Sequence, residues 1–278
     1  MQYIILFLIF SLIAIYLYRN NNVINQTKVD FHSKKLPAAF NQYKILHISD
    51  FHNVTYKNDN CDLINDLKAL NPDLIIFSGD AIDSRKLKFD VAYAFFKQLM
   101  QIAPVYYVSG NHEGRLSNYL EFMKNLEKLG VKVINNQEVK LKLKDEHINL
   151  YGLEDPRFNG QDDDNVNDRI KLKQQLDTFT YDDTQFNLLI SHRPEHFELY
   201  SEYPFDLIFS GHAHGGQVRL PLIGGLFAPN QGLFPKYTSG IYKSKETAMI
   251  VSRGLGPSRF PFRINNHPEV ILVNLIKD

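Results

Sequence analysis

The sequence predicts an α/β fold, and three observations lead to this prediction. Short apolar runs rich in β-branched residues recur along the 278-residue chain, and apolar residues at helical spacing separate several of these runs. Strands and helices therefore alternate in the first half, which is typical of a parallel-type layout. The second half consists mainly of strand-like runs, so we expect a mixed sheet or a second sheet there.

The first predicted element is a single-pass anchor in the cell membrane over residues 1–19. No charged side chain occurs from Met1 to Tyr18, and a helix of this length reaches about 27 Å, close to the ~30 Å hydrocarbon core of a bilayer. A cleaved signal peptide is the alternative, but it would have Lys or Arg before the apolar run and small residues at a cleavage site after it. Because Arg19 and three lysines follow the run, the positive-inside rule favours the cytoplasm for the remainder, although the side stays open.

Residues 20–39 are polar without clear periodicity, and we expect them to form a linker to one large domain over residues 40–278. Seven strands are predicted in this domain: Tyr43–Ser49, Leu74–Ser78, Val105–Ser109, Phe186–Ser191, Leu207–Ser210, Ala248–Ser252 and Val270–Leu275. Apolar residues on one helical face predict three helices: Leu63, Leu67 and Leu70; Phe89, Tyr93, Phe96 and Met100; and Leu116, Leu120 and Met123.

Composition and charge exclude several classes of protein. The hydrophobic content of 44% is too high for a disordered chain. The 31 basic and 31 acidic side chains give a formal net charge of zero, which argues against a nucleic-acid partner bound by bulk phosphate attraction. Cys61 is the single cysteine, so the chain has neither an internal disulfide framework nor a cysteine-based metal cluster.

Side chains that can bind metal ions follow five of the predicted strands, at the point where each strand ends. They are Asp50 and His52; Asp80 and Asp83; Asn111 and His112; His192; and His212 and His214. A single Asp or His of this kind is usually a helix cap or a structural residue. Because loops at the carboxyl ends of strands form the active sites of open α/β sheets, recurrence at five strand ends predicts a shared functional site.

The types of side chain indicate which ions such a site would hold. Imidazole nitrogens with carboxylate and amide oxygens, and no thiolate, suit Mn, Fe or Zn. Seven of the nine side chains counted as ligands would exceed the needs of one tetrahedral zinc ion. We therefore expect two divalent ions, whose identity stays open. Two ions about 3.5–4 Å apart can hold a hydroxide between them and clamp the attacking and leaving oxygens of a phosphoryl group. Such a pair needs a bridging carboxylate, for which Asp80 is the natural candidate.

This ordered series resembles the calcineurin-like metallophosphoesterases. Their sequence pattern of D-x-H, GDxxD, GNH[DE], a later His and GHxH occurs without a gap between Tyr43 and about His214. The tail resembles the membrane-anchored bacterial subgroup of that family in four segments: residues 191–195, 211–221, 228–231, and 254–256 through 268–269. The resemblance implies two mixed β-sheets packed face to face with helices outside, an αββα sandwich.

The resemblance also implies a role for each of the predicted site residues. One ion would be held by Asp50, His52, Asp80 and His214, and the second by Asp80, Asn111, His192 and His212. His112 would not be a ligand; it would face the scissile phosphate, stabilise developing charge and protonate the leaving oxygen. Asp83 would hydrogen-bond His112 and orient its ring. These two residues are therefore the expected catalytic pair.

We therefore expect a membrane-anchored metallophosphoesterase that hydrolyses a phosphate ester or pyrophosphate. By analogy with family members that resemble the pyrophosphohydrolase of UDP-2,3-diacylglucosamine, a lipid-linked or nucleotide-diphosphate substrate is expected. A nucleotide phosphodiesterase is the alternative within the class. Outside it, the alternative is a membrane-tethered metal-binding or scaffold protein with vestigial activity, although such a protein would not need His112 and Asp83. A zinc peptidase would need an HExxH helix, which the sequence lacks.

Two apolar loop segments and three arginines have alternative explanations. Residues 220–227 and 260–262 contain Gly and Pro among apolar side chains, so they are predicted to be loops. Packing in the core is the default explanation, and a lip that accepts lipid beside the metal ions is the alternative. Arg193, Arg253 and Arg263 could each grip a substrate phosphate or form an ion pair.

Overall fold

A computed structural model describes residues 2–157, 165–258 and 260–278 of the chain. The described residues contain six α-helices: α1 (Gln2–Asn22), α2 (Cys61–Ala69), α3 (Phe89–Leu99), α4 (Tyr119–Lys128), α5 (Asn165–Leu176) and α6 (Phe197–Tyr200). They also contain sixteen strands: β1 (Asn25–Ser33), β2 (Tyr43–Ile48), β3 (Leu74–Phe77), β4 (Val105–Tyr107), β5 (Lys132–Val133), β6 (Gln137–Leu143), β7 (Glu146–Gly152), β8 (Asn187–Ile190), β9 (Leu207–Ser210), β10 (Arg219–Leu220), β11 (Gly224–Gly225), β12 (Phe227–Ala228), β13 (Gly232–Leu233), β14 (Gly240–Ser244), β15 (Thr247–Val251) and β16 (Glu269–Lys277).

Two six-stranded sheets form the centre of the fold. The strand order is β1-β16-β2-β3-β4-β5 in the first sheet and β14-β15-β9-β8-β7-β6 in the second. In the first sheet β2 to β5 run parallel, while β16 is antiparallel to β2. In the second sheet β7, β8, β9 and β15 run parallel and are flanked by antiparallel β6 and β14. Both sheets are mixed, which confirms the predicted α/β fold with two sheets.

The two sheets pack face to face because their central strands are apolar on both sides. Ile45 of β2 faces a core that it shares with Leu188 and Ile250 of the second sheet. The next residue, Leu46, points to the opposite face and belongs to the core formed with α2, α3 and α4. The far side of the second sheet packs against α5 and α6 in the same way. Alternate residues of one strand therefore enter different cores, so the strands appear in the sequence as continuous apolar runs.

The predicted elements are present, with one difference in α4. All seven predicted strands occur within two residues of the expected bounds, as β2, β3, β4, β8, β9, β15 and β16. α2 and α3 lie where the apolar spacing predicts them. The predicted face of the third helix was wrong, because α4 begins at Tyr119, so Leu116 lies outside it, and Leu120 is 70% exposed. Its buried face consists of Tyr119, Phe122, Met123 and Leu126.

The expected linker over residues 20–39 was wrong. α1 continues to Asn22, and β1 follows it and pairs in parallel with β16 along its whole length. Val29 and Phe31 of β1 pack against the core between the two sheets. Because the other inward positions of this edge strand are polar, its alternation is too weak to predict a strand. We therefore propose that the domain starts with β1 rather than at Phe40.

α1 is long and apolar enough to cross a membrane, judged by length and composition. Its best window has a mean hydropathy of 1.8, and none of that window is buried against the rest of the chain. Near its end, the hydroxyl of Tyr16 donates to Oδ1 of Asn265 at 2.8 Å. One turn later, Oδ1 of Asn21 accepts the backbone N–H of Arg263 at 3.1 Å. Two residues separate α1 from β1, so the domain begins directly where the apolar helix ends.

Candidate metal centre

The loops after β2, β3, β4, β8 and β9 bring all the predicted site residues together at one edge of the two sheets. All nine are buried: Asp50, His52, Asp80, Asp83, Asn111, His112, His192, His212 and His214. Five of them have a positive φ angle: Asp50, His52, Asp80, His212 and His214. A left-handed backbone costs about 1–2 kcal/mol for a residue with a Cβ. The surrounding contacts must therefore hold these loops in a strained shape.

Glycines next to these residues make room for the carboxylates. A Cβ at Gly110 would collide with the carboxylate of Asp80. A Cβ at Gly211 would collide with that of Asp50. At Gly254, where φ is 70°, a Cβ would lie 2.6 Å from Cβ of Asp50. The glycines around these strand ends therefore serve the close approach of loops from both sheets.

A first cluster of possible ligands consists of Asp50, His52 and His214, whose ligating atoms all lie within 4.8 Å of one another. Nε2 of His214 is 3.3 Å from Oδ1 of Asp50 and 3.2 Å from Nε2 of His52. Nε2 of His52 is also 3.7 Å from Oδ2 of Asp80. Loops from both sheets therefore bring Asp50, His52 and His214 together, and the carboxylate of Asp80 lies next to them.

A second cluster consists of Asp80, His192 and His212, with ligating atoms again within 4.8 Å of one another. Nε2 of His192 lies 3.2 Å from Oδ2 of Asp80. The other ring nitrogen of His192 contacts the backbone oxygen of Ser78 at 2.7 Å, an arrangement that leaves Nε2 for a metal ion. The Asp80 carboxylate therefore lies in the second cluster and within reach of the first.

Buried atoms without partners support a cation at this position. Nε2 of His192 and Oδ1 of Asn111 have no hydrogen-bond partner among the described residues. A buried polar atom left unpaired costs about 1–3 kcal/mol, and a cation between the clusters would remove that cost. Imidazole nitrogens with carboxylate and amide oxygens are ligands suited to Mn, Fe or Zn. The residues present therefore fit divalent ions.

The protonation states of these histidines follow from burial and from the two carboxylates. Burial lowers the pKa of His52 to about 3, so its ring is neutral at pH 7, which is the form that binds metal ions. Burial also lowers the pKa of His212 and of His214 well below the usual value. For His192, burial acts in the same direction, but the charges of Asp80 and Asp50 outweigh it and raise the pKa to about 10. A proton on this ring and a metal ion would therefore compete for the same negative charge.

His112 lies beside the clusters and is held by the loop after β3. Its Nδ1 accepts the backbone N–H of Ser84 at 3.0 Å, and Oδ1 of Asp83 is 3.5 Å away. Arg85 lies closer to Asp83 than His112 does, because its Nε donates to Oδ1 of Asp83 at 2.8 Å and its Nη2 donates to Oδ2 at 3.0 Å. Although burial raises the pKa of Asp83, the contact with His112 and the hydrogen bonds from Arg85 hold it well below its usual range. His112 also forms a third group of possible ligands with His52 and Asp80.

Glu113 is a positioning residue to which the sequence patterns gave no role. Its Oε2 accepts the backbone N–H groups of Asp80 at 2.9 Å and of Gly110 at 2.7 Å. Its Oε1 accepts the backbone N–H of Ile82 at 3.0 Å. This buried carboxylate therefore ties the loop after β3 to the loop after β4. The signal in the sequence was the acidic residue that ends the GNH[DE] pattern.

A pocket of about 430 Å³ opens over the clusters. Apart from predicted site residues, it is lined by Arg85, Arg115, Arg157, Phe227 and Asn230, among others. Phe227 and Asn230 lie in segments that the sequence had singled out, whereas the three arginines were missed, because their place in the pocket depends on how distant loops meet. Arg115 is exposed at the pocket, whereas Arg85 and Arg157 form ion pairs with Asp83 and Asp168.

The three arginines that the sequence singled out do not line this pocket. Arg193 is buried and forms a two-point ion pair with Asp155 at 2.8 and 3.0 Å. Its Nη1 also donates to Oδ1 of Asn230, which lies 3.0 Å from Nε2 of His212. Of the two explanations for Arg193, the ion pair is therefore the one that the structure supports. Through Asn230, this network contacts Nε2 of His212.

The chain matches the calcineurin-like phosphoesterase family over residues 43–216. It is 28% identical over 263 residues to the uncharacterized metallophosphoesterase YkuE of Bacillus subtilis, covering 93% of this chain and 87% of the relative. It is 29% identical over 242 residues to the phosphodiesterase YaeI of Escherichia coli, covering 84% and 82%. It is 27% identical over 262 residues to a transmembrane protein with metallophosphoesterase domain from Bos taurus, covering 88% and 55%.

The family match and the geometry concern the same part of the molecule. The matched region covers more than half of the chain and contains all nine predicted site residues. Within it, clusters of His and Asp suited to metal ions lie at the carboxyl ends of parallel strands. The chain therefore belongs to the calcineurin-like phosphoesterases, which hydrolyse phosphate esters with the help of divalent metal ions.

Proposed function

We propose that this chain hydrolyses a phosphate ester or pyrophosphate with two divalent ions. The ions would lie in two groups of ligands: Asp50, His52, Asp80 and His214; and Asp80, Asn111, His192 and His212. The observation that carries the proposal is the position of Asp80, which lies in one cluster and within 3.7 Å of His52 in the other. When bound, the ions supply positive charge that polarises the phosphate and activates water.

His112 and Asp83 are proposed as the catalytic pair. Because Nδ1 of His112 accepts the N–H of Ser84, the hydrogen of the neutral ring lies on Nε2. This N–H can donate to the leaving oxygen as the phosphorus–oxygen bond breaks, and stabilise the charge that develops there. Asp83, whose pKa is held low, would place a negative charge 3.5 Å from Nδ1 and help to orient the ring.

The proposed substrate is a lipid-linked phosphate ester or pyrophosphate, or a nucleotide diphosphate. The guanidinium groups of Arg85, Arg115 and Arg157 around the pocket can bind the charged oxygens of a diester or a second phosphate. The E. coli relative is named a phosphodiesterase, which favours a diester. A nucleotide phosphodiesterase is the alternative in this class, and likeness to UDP-2,3-diacylglucosamine pyrophosphohydrolases stays a prediction.

We also propose that α1 anchors the domain in the cell membrane. The length and apolar character of α1 support this, and the Bos taurus relative is named a transmembrane protein. A cleaved signal sequence would meet the same test of length, but the hydrogen bonds from Tyr16 and Asn21 to the domain favour a retained helix. Arg19 and the following lysines favour a cytoplasmic domain. A reporter fused after Asp278 tests this, because activity confined to the exterior would contradict it.

The test of the hydrolase uses the full chain in detergent, since truncation at Phe40 would remove β1. The protein is stripped of metal, reconstituted with Mn²⁺ and assayed with bis-p-nitrophenyl phosphate and p-nitrophenyl phosphate. We expect nitrophenol release that depends on metal and is abolished by Asp80→Asn. The control is Asp145→Asn, an exposed aspartate in the turn between β6 and β7, which should leave the rate unchanged.

Two results would contradict this proposal. Full activity in Asp80→Asn would show that the shared carboxylate is not needed. Failure to hydrolyse either ester with both ions bound would favour the metal-binding scaffold. The preference between the two esters separates a diesterase from a monoesterase.

A further inference from the structure

A second pocket, of about 500 Å³, lies between α1 and the domain. On the helix it is lined by Ala14, Leu17 and Tyr18, which lie on one face because they are three and four residues apart. On the domain it is lined by Val54, Tyr56 and five residues of a segment that we call the lip, defined as Leu255–Ser258 together with Phe260–Arg263. The five are Leu255, Pro257, Pro261, Phe262 and Arg263. The groove is therefore bounded on one side by a helix that is apolar enough to span a membrane.

The geometry of α1 gives the position of the groove along the axis of the helix. Ala14 precedes the end of α1 at Asn22 by eight residues, which corresponds to about 12 Å along the helix axis. The hydrogen bonds from Arg263 of the lip to Asn21, and from Tyr16 to Asn265 two residues after the lip, hold this segment against the helix. If α1 spans the membrane, the lip therefore lies at the depth of the headgroups and the first carbons of the acyl chains.

The lip is also one wall of the metal centre. Ser258 lines the pocket over the clusters, while its neighbour Pro257 lines the groove. At Gly256, between Pro257 and the groove-lining Leu255, a Cβ would lie 2.8 Å from Cβ of His52. A single layer of chain therefore separates the groove from the proposed metal ions.

Exposed apolar side chains occur on the lip and on the segment around β10 to β12. Phe227, which lines the metal pocket, is 46% exposed, and Phe260 and Phe262 of the lip are 47% and 46% exposed. Leu222, in the turn between β10 and β11, is fully exposed. These side chains are not in the core, so core packing does not explain them. A row of exposed apolar side chains beside a span is typical of a surface that enters a membrane.

The groove contains one buried cation near its polar end. Arg263 is 4% exposed, and its Nη2 donates to the backbone oxygens of Arg253, Gly254 and Gly256. Its Nη1 is buried and has no hydrogen-bond partner within the described ranges. The ester carbonyl of a lipid is an acceptor that suits this N–H. An apolar groove with one unpaired donor matches an acyl chain that ends in an ester.

We propose that the groove between α1 and the lip binds an acyl chain of a membrane lipid, and that the substrate is a phosphate ester carried on that lipid. The chain lies between Ala14, Leu17 and the lip, and the phosphate reaches the metal centre across the lip. This assignment rests on the proposed function for its catalytic half. The claim that the groove binds an acyl chain depends only on the groove, so it can be tested without any catalytic activity.

Binding is tested with the full chain in phosphatidylcholine vesicles that contain phosphatidylglycerol with a light-activated diazirine in its acyl chain. After irradiation, the labelled residues are mapped by mass spectrometry. We expect adducts on Leu17, Leu255 and Phe262, in the wild type and in Asp80→Asn alike. Ala14→Phe fills the groove and should lower these adducts at least about fivefold, whereas Ile15→Phe, on another face of the helix, should not.

Activity then links the groove to the substrate. Ala14→Phe should lower kcat/KM for phosphatidylglycerol at least about tenfold, and leave bis-p-nitrophenyl phosphate hydrolysis within about twofold of the wild type. Ile15→Phe should change neither. Adducts confined to the other faces of α1 in the wild type would contradict the proposal that the groove binds lipid. This result does not depend on whether Ala14→Phe folds. Groove adducts in a protein that hydrolyses no ester would contradict only the proposed function.

Equal loss of both activities in Ala14→Phe, with a normal melting temperature, would also overturn the assignment, because the groove would then support the metal centre rather than the lipid. Soluble phosphodiesters hydrolysed better than phosphatidylglycerol by the wild type in vesicles would count against a lipid substrate in the same way.

Discussion

The metal centre and the groove beside α1 lie on opposite sides of the lip and are built in different ways. The metal centre consists of buried polar side chains, five of them on residues with a positive φ, and neighbouring glycines leave room for the carboxylates of Asp50 and Asp80. The groove consists of apolar side chains on a helix face and a loop, many of them exposed. The first arrangement fixes atoms in position for a reaction, and the second selects what can reach them. Changes in the centre should therefore affect every substrate, whereas changes in the groove should affect only lipids.

The sharpest way to separate chemistry from metal binding within the centre is the variant His112→Ala. We expect a loss of about 10²–10⁴ in kcat for any substrate, because the donor to the leaving oxygen is gone. We expect metal content to stay unchanged, since His112 is assigned no ligand role. Steady-state kinetics and metal analysis of the same sample check both.

His147→Ala, at the start of β7 and away from the clusters, is the matched control and should keep wild-type rates. Loss of an ion in His112→Ala would reassign the residue as a ligand, which its position beside His52 and Asp80 allows.

Two glycine variants test how far the centre depends on its backbone. Gly254 and Gly232 have nearly the same φ, 70° and 71°, but only a Cβ at Gly254 would meet Asp50. Both alanine variants should lose about 1 kcal/mol of stability from the positive φ. Gly254→Ala should also weaken metal binding about tenfold or more by displacing Asp50.

Metal titrations and thermal melting of the two variants measure the difference between them. Equal metal affinities would show that the loop can move away from Asp50 without consequence, which would weaken the picture of a rigid centre.

The smallest effect on the centre should come from removing α1. A chain that begins at Val23 loses the helical wall of the groove but keeps β1, so hydrolysis of bis-p-nitrophenyl phosphate should stay within about twofold of the wild type. Its rate on phosphatidylglycerol in vesicles should fall much further.

A chain that begins at Phe40 also loses β1, and should melt at least about 5 °C lower, because the edge of the first sheet and its contacts from Val29 and Phe31 are gone. Equal melting temperatures for the two truncated chains would contradict the assignment of β1 to the domain.

The two regions also differ in how much of them the sequence reveals. The strands that carry the centre are continuous apolar runs followed at once by Asp, Asn or His, so both the sheets and the candidate ligands can be predicted from short stretches. Glu113 and Ser84 could not be assigned roles, because they act through backbone N–H groups of loops that meet only in the folded chain. β1 was missed because only Val29 and Phe31 give it an apolar face.

The sequence indicated only part of the groove, because it singled out residues 260–262 of the lip but nothing on α1. Ala14 and Leu17 look like any residues of an apolar helix, and the lip looks like a loop. Their relation depends on two hydrogen bonds between segments more than 240 residues apart. Sequence patterns therefore predicted the reaction class and offered a lipid-accepting lip as an alternative, but they could not predict a groove between that lip and α1.

The most direct test of the central claim is the number of metal ions bound per chain, measured by elemental analysis of purified full-length protein after reconstitution with Mn²⁺ or Zn²⁺. The account predicts two ions in the wild type and in Asp145→Asn, and one or none in Asp80→Asn, because that carboxylate is shared by both positions. One ion per chain in the wild type, or two ions retained in Asp80→Asn, would contradict it.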